Sequence, residues 1–107
     1  MTFLCWLIKA FAAKAFAASN VHGASACLPL RALGLFSSIS ALIGNVGQGN
    51  YAAANNYLDA LAVFLRSQGI YGSSLQIPAV GAAGMGALTF SNEQLDAIGG
   101  ISLDDFA

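Results

Sequence analysis

From Ala32 to Leu58 the chain carries no charged side chain. A run of that length cannot lie on a solvated surface. It must cross a membrane or be packed into a protein interior. Its own polar residues decide between the two. Ser37, Ser38, Ser40, Asn45, Gln48, Asn50, Asn55 and Asn56 all fall within it, with glycines between them. A spanning helix tolerates few such groups, so the run reads as the core and rim of a folded domain. The rest of the chain is equally sparing: 8% of the 107 residues are charged, against about a quarter in an average soluble domain. Too little charge is present to cover an independent globule. The chain is therefore at most one small domain, either buried against something else or part of a larger fold. Four basic and five acidic residues give a net charge of −1, with no Lys/Arg cluster. That balance argues against a nucleic acid or an anionic membrane as partner.

The start, "MTFLCWLIKAFAAKAFAAS", has the Ala-x-Ala-like end of a signal peptide. Lys9 and Lys14 interrupt the apolar run where it should be clean, and no charge precedes it, which argues against that reading. Cys5 and Cys27 stand apart, with no C-x-x-C and no Cys/His cluster, so they read as free thiols rather than as a disulfide or a metal site.

Helical and strand signals alternate along the chain. Residues 9–27 are alanine-rich and free of proline, which predicts a helix, with Pro29 after its end. "ALGLFSS", residues 32–38, is a short apolar run closing on polar residues. It predicts a strand buried in the manner of a parallel sheet. Residues 39–49 hold three glycines and predict a loop. A helix is predicted from Asn50 to about Ser67, with Leu58, Leu61, Ala62 and Leu65 on its apolar face, Arg66 in the last turn and Gly69 as its stop. "SSLQIPAV", residues 73–80, predicts a second strand ended by Pro78, and a glycine-rich loop follows at 81–86. Ser91 and Ser102 are placed to cap two short helices. This order is half of a doubly wound α/β sheet. The fold class expected is the C-terminal part of a Rossmann-type doubly wound parallel sheet, incomplete. No G-x-G-x-x-G occurs, and that turn would hold a dinucleotide pyrophosphate.

In open α/β sheets chemistry sits at the C-terminal ends of strands. Ser37 and Ser38 lie at such an end. Tyr51 opens the following helix, and Asn55, four residues on, shares its face. A tyrosine hydroxyl beside a cation, with a serine to hydrogen-bond the same oxygen, can protonate a ketone as a hydride arrives on the other side. The spacing alone also admits a plainer reading. The two serines could simply close a strand, and Tyr51 could be an aromatic packed on the core.

The segment "FSSISALIGNVGQGNYAAANNYLDALA", residues 36–62, resembles the active-site segment of ketoreductase domains of modular polyketide synthases, within the short-chain dehydrogenase/reductase superfamily. The shared features are the Phe-Ser-Ser strand end, the Gly-Gln before the tyrosine and the long Tyr-Ala-Ala-Ala-Asn-x-Tyr-Leu-Asp-Ala-Leu-Ala run. The resemblance implies that Ser38 is the catalytic serine and Tyr51 the catalytic acid. Asn55 stands where most of the superfamily carries lysine. In these ketoreductases the lysine lies upstream of the serine, and the matching position here is Lys14, with Lys9 out of register. The segment "GSSLQIPAVGAAGMG" falls where the family has a Trp-Gly-Pro-Trp loop and then Gly-Met. Gly84 and Met85 fit it, whereas Ile77, Pro78, Ala79 and Val80 depart from it.

The resemblance implies NADPH as cofactor, with Lys14, Tyr51, Pro78 and Val80 as its contacts in this chain and no metal. It implies a β-ketoacyl group on an acyl carrier protein as substrate, reduced to the β-hydroxyacyl form. Lys14, Ser38, Tyr51 and Asn55 are the catalytic set, and Gln48 lies near the substrate. His22 is expected at the surface or at a helix end. Asn50, Asn56 and Tyr57 read as structural, and Trp6 carries no functional signal. Residues 1–13 form an unassigned start, 14–90 the C-terminal half of the ketoreductase domain, and 91–107 a helical tail or linker toward a following domain. Other synthase domains are the expected partners, with no membrane and a cytoplasmic setting. The isolated chain is expected to be inactive. A non-catalytic ketoreductase-like scaffold fragment is the alternative from another class, and a small membrane-associated protein is a third.

Overall fold

The computed structural model describes residues 3–44, 46–81, 91–97 and 99–106. They divide into two units, Met1–Gln76 and Ile77–Ala107. The first holds the sheet.

The first unit opens with one helical rod. α1 (Phe3–Phe11) runs into a π-helical turn (Ala12–Phe16) and then α2 (Ala17–Ser25). The helix starts at Phe3 rather than at Lys9, because no glycine or proline stands between them to stop it. It ends at Ser25, whose hydroxyl donates to the His22 carbonyl at 3.0 Å. β1 (Ala32–Ser38) has the predicted bounds. The predicted loop after it contains one helical turn, α3 (Ser40–Ile43). The Ser38 hydroxyl accepts the Ser40 amide at 3.2 Å, and that local bond turns the chain into a helix before the glycines begin.

α4 (Gly49–Ser67) is the longest element. Its end is a Schellman motif. Ile70 N–H donates to the Leu65 carbonyl at 3.0 Å and Gly69 N–H to the Arg66 carbonyl at 3.1 Å. Gly69 takes φ +80°, a left-handed conformation that glycine adopts without a Cβ penalty. The motif feeds the chain straight into β2 (Tyr71–Ile77), where Tyr71 N–H reaches the Arg31 carbonyl at 3.1 Å. β2 therefore begins earlier than the predicted 73. It ends at Ile77, before the expected stop at Pro78, which has no N–H to continue a ladder.

β1 and β2 form a parallel two-stranded sheet. Side chains alternate across it. Leu33, Leu35, Ser37, Gly72 and Ser74 point to the covered side. There Leu33, Leu35 and Ile70 pack on a core of Ala18, Leu58, Leu61 and Leu65. The opposite face is bare: Phe36 is 66% exposed, Tyr71 81% and Leu75 59%. The expectation of a strand covered on both faces is thus corrected for this chain. All the helices described in this unit that pack on the sheet cover one side of it.

Gly72 marks the closest approach of helix and sheet. A Cβ there would lie 2.7 Å from the Ala62 carbonyl oxygen and 2.7 Å from the Leu65 Cβ. Both are backbone or backbone-proximal atoms, so the strand itself must move. Gly72→Ala should cost about 1–3 kcal/mol, read as a lowered Tm in thermal denaturation. An unchanged Tm would refute the close packing.

In the second unit, Val80 forms an isolated parallel bridge with Ile101. Two short helices follow the predicted caps. α5 (Asn92–Ala97) is preceded by Ser91, whose hydroxyl accepts the Gln94 amide at 3.3 Å while Gln94 Oε1 accepts the Ser91 amide at 2.9 Å. α6 (Leu103–Phe106) is preceded by Ser102, whose hydroxyl accepts the Asp105 amide at 3.1 Å. No helix among the described residues is long and apolar enough to cross a membrane.

Candidate functional site

Three elements of the first unit carry the sequence-predicted residues, and Lys14, Tyr51 and Asn55 are in contact. The π-helical turn carries Lys14, the C-terminal end of β1 carries Ser38, and the first two turns of α4 carry Tyr51 and Asn55. Lys14 Nζ donates to the Phe36 carbonyl at 3.0 Å. The same ammonium lies 5.6 Å from the centroid of the Tyr51 ring, within the roughly 6 Å range of a cation–π contact. The cation is thus held between the strand end and the phenol. Lys9, the out-of-register lysine, is exposed.

Tyr51 is half-buried. Its amide donates to Asn50 Oδ1 at 2.8 Å, and its carbonyl accepts Asn55 Nδ2 at 2.9 Å. The first bond satisfies an amide at the start of α4, where N–H groups lack helical partners, and the second adds a side-chain donor to a carbonyl of the same turn. Asn55 is fully buried, and its Oδ1 has no hydrogen-bond partner among the described residues. A buried, unpartnered oxygen costs about 1–3 kcal/mol, which marks this atom as a candidate for a task other than packing.

Ser38 accepts from Ser40 twice, from the amide at 3.2 Å and from the hydroxyl at 3.0 Å. A hydroxyl that accepts through its lone pairs keeps its own proton to give away. Ser37 behaves differently. It is buried, and its hydroxyl donates to the Asn55 carbonyl at 3.2 Å. Strand alternation separates the pair: Ser37 shares the helix-facing side with Leu33 and Leu35, and that period-two pattern is visible in the sequence.

Several singled-out residues take other roles. Asn56 Nδ2 donates to the Ala41 carbonyl at 2.8 Å, joining α4 to α3. His22 lies in the last turn of α2, the helix end expected for it, half-buried with its ring edge-on to Phe64 at 6.1 Å between centroids. Gln48 is half-buried at the helix entrance. Pro78 and Val80 belong to the second unit, where both are half-buried. Gly84 and Met85 lie outside the described residues.

A cluster the sequence reading did not single out surrounds Asp59. Its Oδ1 accepts the Ser74 hydroxyl, and its Oδ2 accepts Gln76 Nε2 at 2.9 Å. The partners are distant in sequence, yet one signal was available: Asp59 is the first charge after the neutral run, and it adjoins the apolar face of α4. Partial burial pushes its carboxyl up, but the bonds from Ser74, Gln76 and Ser37 outweigh this and hold it below its ordinary value of 3.8. The unfolded chain therefore binds a proton at a higher pH than the folded one. The stability Asp59 contributes is complete above its unfolded value and is lost as pH falls through the lowered folded value. Asp59→Asn should flatten the acid limb of the stability curve between about pH 5 and pH 2, measured by thermal melts across that range. An acid limb as steep as before would refute the assignment.

Residues 6–82 match the family profile described as KR domain. The chain is 53% identical over 62 residues to Polyketide synthase GfsB of Streptomyces halstedii, covering 58% of this chain and 1% of that protein. It is 49% identical over 63 residues to the type I phenolphthiocerol-synthesis polyketide synthase Pks1 of Mycobacterium tuberculosis, whose name describes it as inactive, covering 59% of this chain and 4% of that protein. Among solved structures it is similar to the first ketoreductase of the tylosin PKS, with a TM-score of 0.67 and 41% identity, covering 78% of this chain and 18% of that one. The chain thus spans a small part of the length of the relatives it matches.

Proposed function

The chain belongs to the KR domain family, the ketoreductase domains of modular polyketide synthases, and from that membership we propose that it carries the proton-transfer half of an NADPH-dependent reductase. The substrate is a β-ketoacyl thioester on an acyl carrier protein, and the product is the β-hydroxyacyl form. The observation that carries the reading is the Lys14 ammonium, bonded to the β1 carbonyl and 5.6 Å over the Tyr51 ring.

The residues present fit part of the cofactor. An ammonium with one of its hydrogens on a carbonyl, next to a phenol, suits a ribose diol. Lys14 and Tyr51 would hold that end, and Pro78 and Val80 enter the proposal on the family resemblance alone. The pyrophosphate needs the glycine-rich turn, which this sequence lacks. When bound, NADPH supplies the hydride to the ketone carbon. Tyr51 gives its hydroxyl proton to the ketone oxygen, so hydride and proton together make the alcohol. Ser38 donates its remaining proton to the same oxygen as a hydrogen bond and orients the carbonyl. Lys14 stabilises the phenolate left on Tyr51. Asn55 fixes the turn that aims Tyr51 through its bond to the Tyr51 carbonyl, and its buried Oδ1 is positioned to take part in holding a relay water. NADPH and carrier-bound acyl chains set the reaction in the cytoplasm, beside the other domains of a synthase.

The isolated chain is inactive on this reading, since it offers one bare sheet face and no pyrophosphate turn. The test is a fusion of this chain to the upstream half of a related ketoreductase domain. It should consume NADPH in step with formation of hydroxyacyl thioester. A second reading, a non-catalytic ketoreductase-like scaffold fragment, is favoured by the name of one relative, which describes that protein as inactive. A fusion that binds NADPH yet never reduces the ketone would establish that reading and end the first.

A further inference from the structure

Asp59 lies one helical turn beyond Asn55 and two beyond Tyr51, on the same side of α4. Its two carboxylate oxygens are taken by Ser74 and Gln76 of β2. The Ser37 hydroxyl of β1 donates to the Asn55 carbonyl at 3.2 Å, one turn earlier on the same helix. The groups bonded to Asp59 among the described residues are a hydroxyl and an amide, not a cation. Such a carboxylate is a directional tie with fixed donors rather than a loosely held surface charge. Asp59 thus ties the register of α4 to β2, and Ser37 ties the same helix to β1 one turn earlier. Ser37 precedes Ser38, and Tyr51 opens α4, so that register sets how the two proposed reacting hydroxyls meet.

We propose that Asp59 is a positioning residue for ketone reduction: through Ser74 and Gln76 it holds α4 on the sheet in the register that aligns Tyr51 with Ser38. It touches neither substrate nor cofactor. The inference rests on the reductase reading above. A small misplacement of reacting groups costs up to about 10²-fold in rate, and a partial loss of register costs less. Asp59→Asn keeps the shape and turns one acceptor into a donor that faces a donor.

In the fusion, Asp59→Asn should lower kcat about 10-fold. KM for the ketoacyl thioester and the NADPH dissociation constant should stay within about twofold, with rates normalised to NADPH-binding sites so that unfolded protein does not count. The double variant Asp59→Asn/Gln76→Glu exchanges donor and acceptor across the same bond and should recover most of kcat. A kcat per binding site that stays within twofold of the parent, or that falls together with a matching rise in KM, overturns the proposal. Amide hydrogen exchange gives a readout that does not depend on turnover. In the fusion and in the 107-residue chain, the β2 amides should exchange about 10-fold faster in Asp59→Asn. If the parent fusion never reduces the ketone, the reductase reading fails by itself, and the exchange result then decides the tie. Unchanged protection of β2 overturns the tie whatever the kinetics show.

Discussion

Tyr51→Phe should lower the rate of ketone reduction by the completed domain about 10²–10⁴-fold. The phenyl ring keeps the packing of this half-buried residue at the helix start and its contact with the Lys14 ammonium, because both involve the ring. The hydroxyl alone is lost. If Tyr51 only fills space, the rate should scarcely move and the Tm should hold. If it is the acid, the rate falls while NADPH binding changes little. Ser38→Ala should also slow the reaction, since the hydroxyl that keeps its proton for the ketone is gone. The two losses should be less than additive, because both residues serve one oxygen in one transition state. A Tyr51→Phe enzyme that keeps half its rate when chemistry limits turnover would remove this tyrosine as the acid.

Local signals were read well from the sequence, and long-range ones were not. The bounds of β1, the glycine stop of α4 and the serine caps of α5 and α6 are decided within a few residues, by turn and capping chemistry. The early start of the first helix was missed because alanine content was weighed over the plain absence of breakers before Lys9. The turn α3 was missed because three glycines outweighed one serine hydroxyl. The end of β2 at Pro78 is legible from local chemistry, whereas its start at Tyr71 depends on the long-range bond to the Arg31 carbonyl. The expectation that Ser38 and Tyr51 act together comes from strand-end logic. The approach of Lys14 came only from family resemblance, since no local pattern tells that a side chain on the first helix reaches a ring on α4. The Asp59 cluster joins residues 15 and 17 positions apart, a separation set by how β2 returns along α4. Its one local sign was a charge placed beside an apolar helix face.

That distinction between local and long-range information makes Lys14 the sharpest remaining test. Two lysines lie on the first helical rod, and composition cannot choose between them. The geometry can: Lys9 is exposed, whereas Lys14 is half-buried with its ammonium on the Phe36 carbonyl. The π-helical turn that carries Lys14 is a rare local geometry, found often at functional sites. Lys14→Met keeps most of the aliphatic stem and removes the charge. The phenolate formed on Tyr51 then loses its nearest cation in a partly dry site, a kind of loss that costs about 10²–10³-fold in kcat. The Phe36 carbonyl also loses its donor, so Lys14→Arg is the control that restores a cation with different reach. It should recover part of the rate. Lys9→Met should leave kcat, KM and Tm as they were, because its side chain is exposed. Rates that fall equally for Lys9→Met and Lys14→Met would show that the rod contributes only general charge. A Lys14→Met enzyme at full rate would mean that the ammonium over the Tyr51 ring is a packing contact and that the proton leaves Tyr51 without its help.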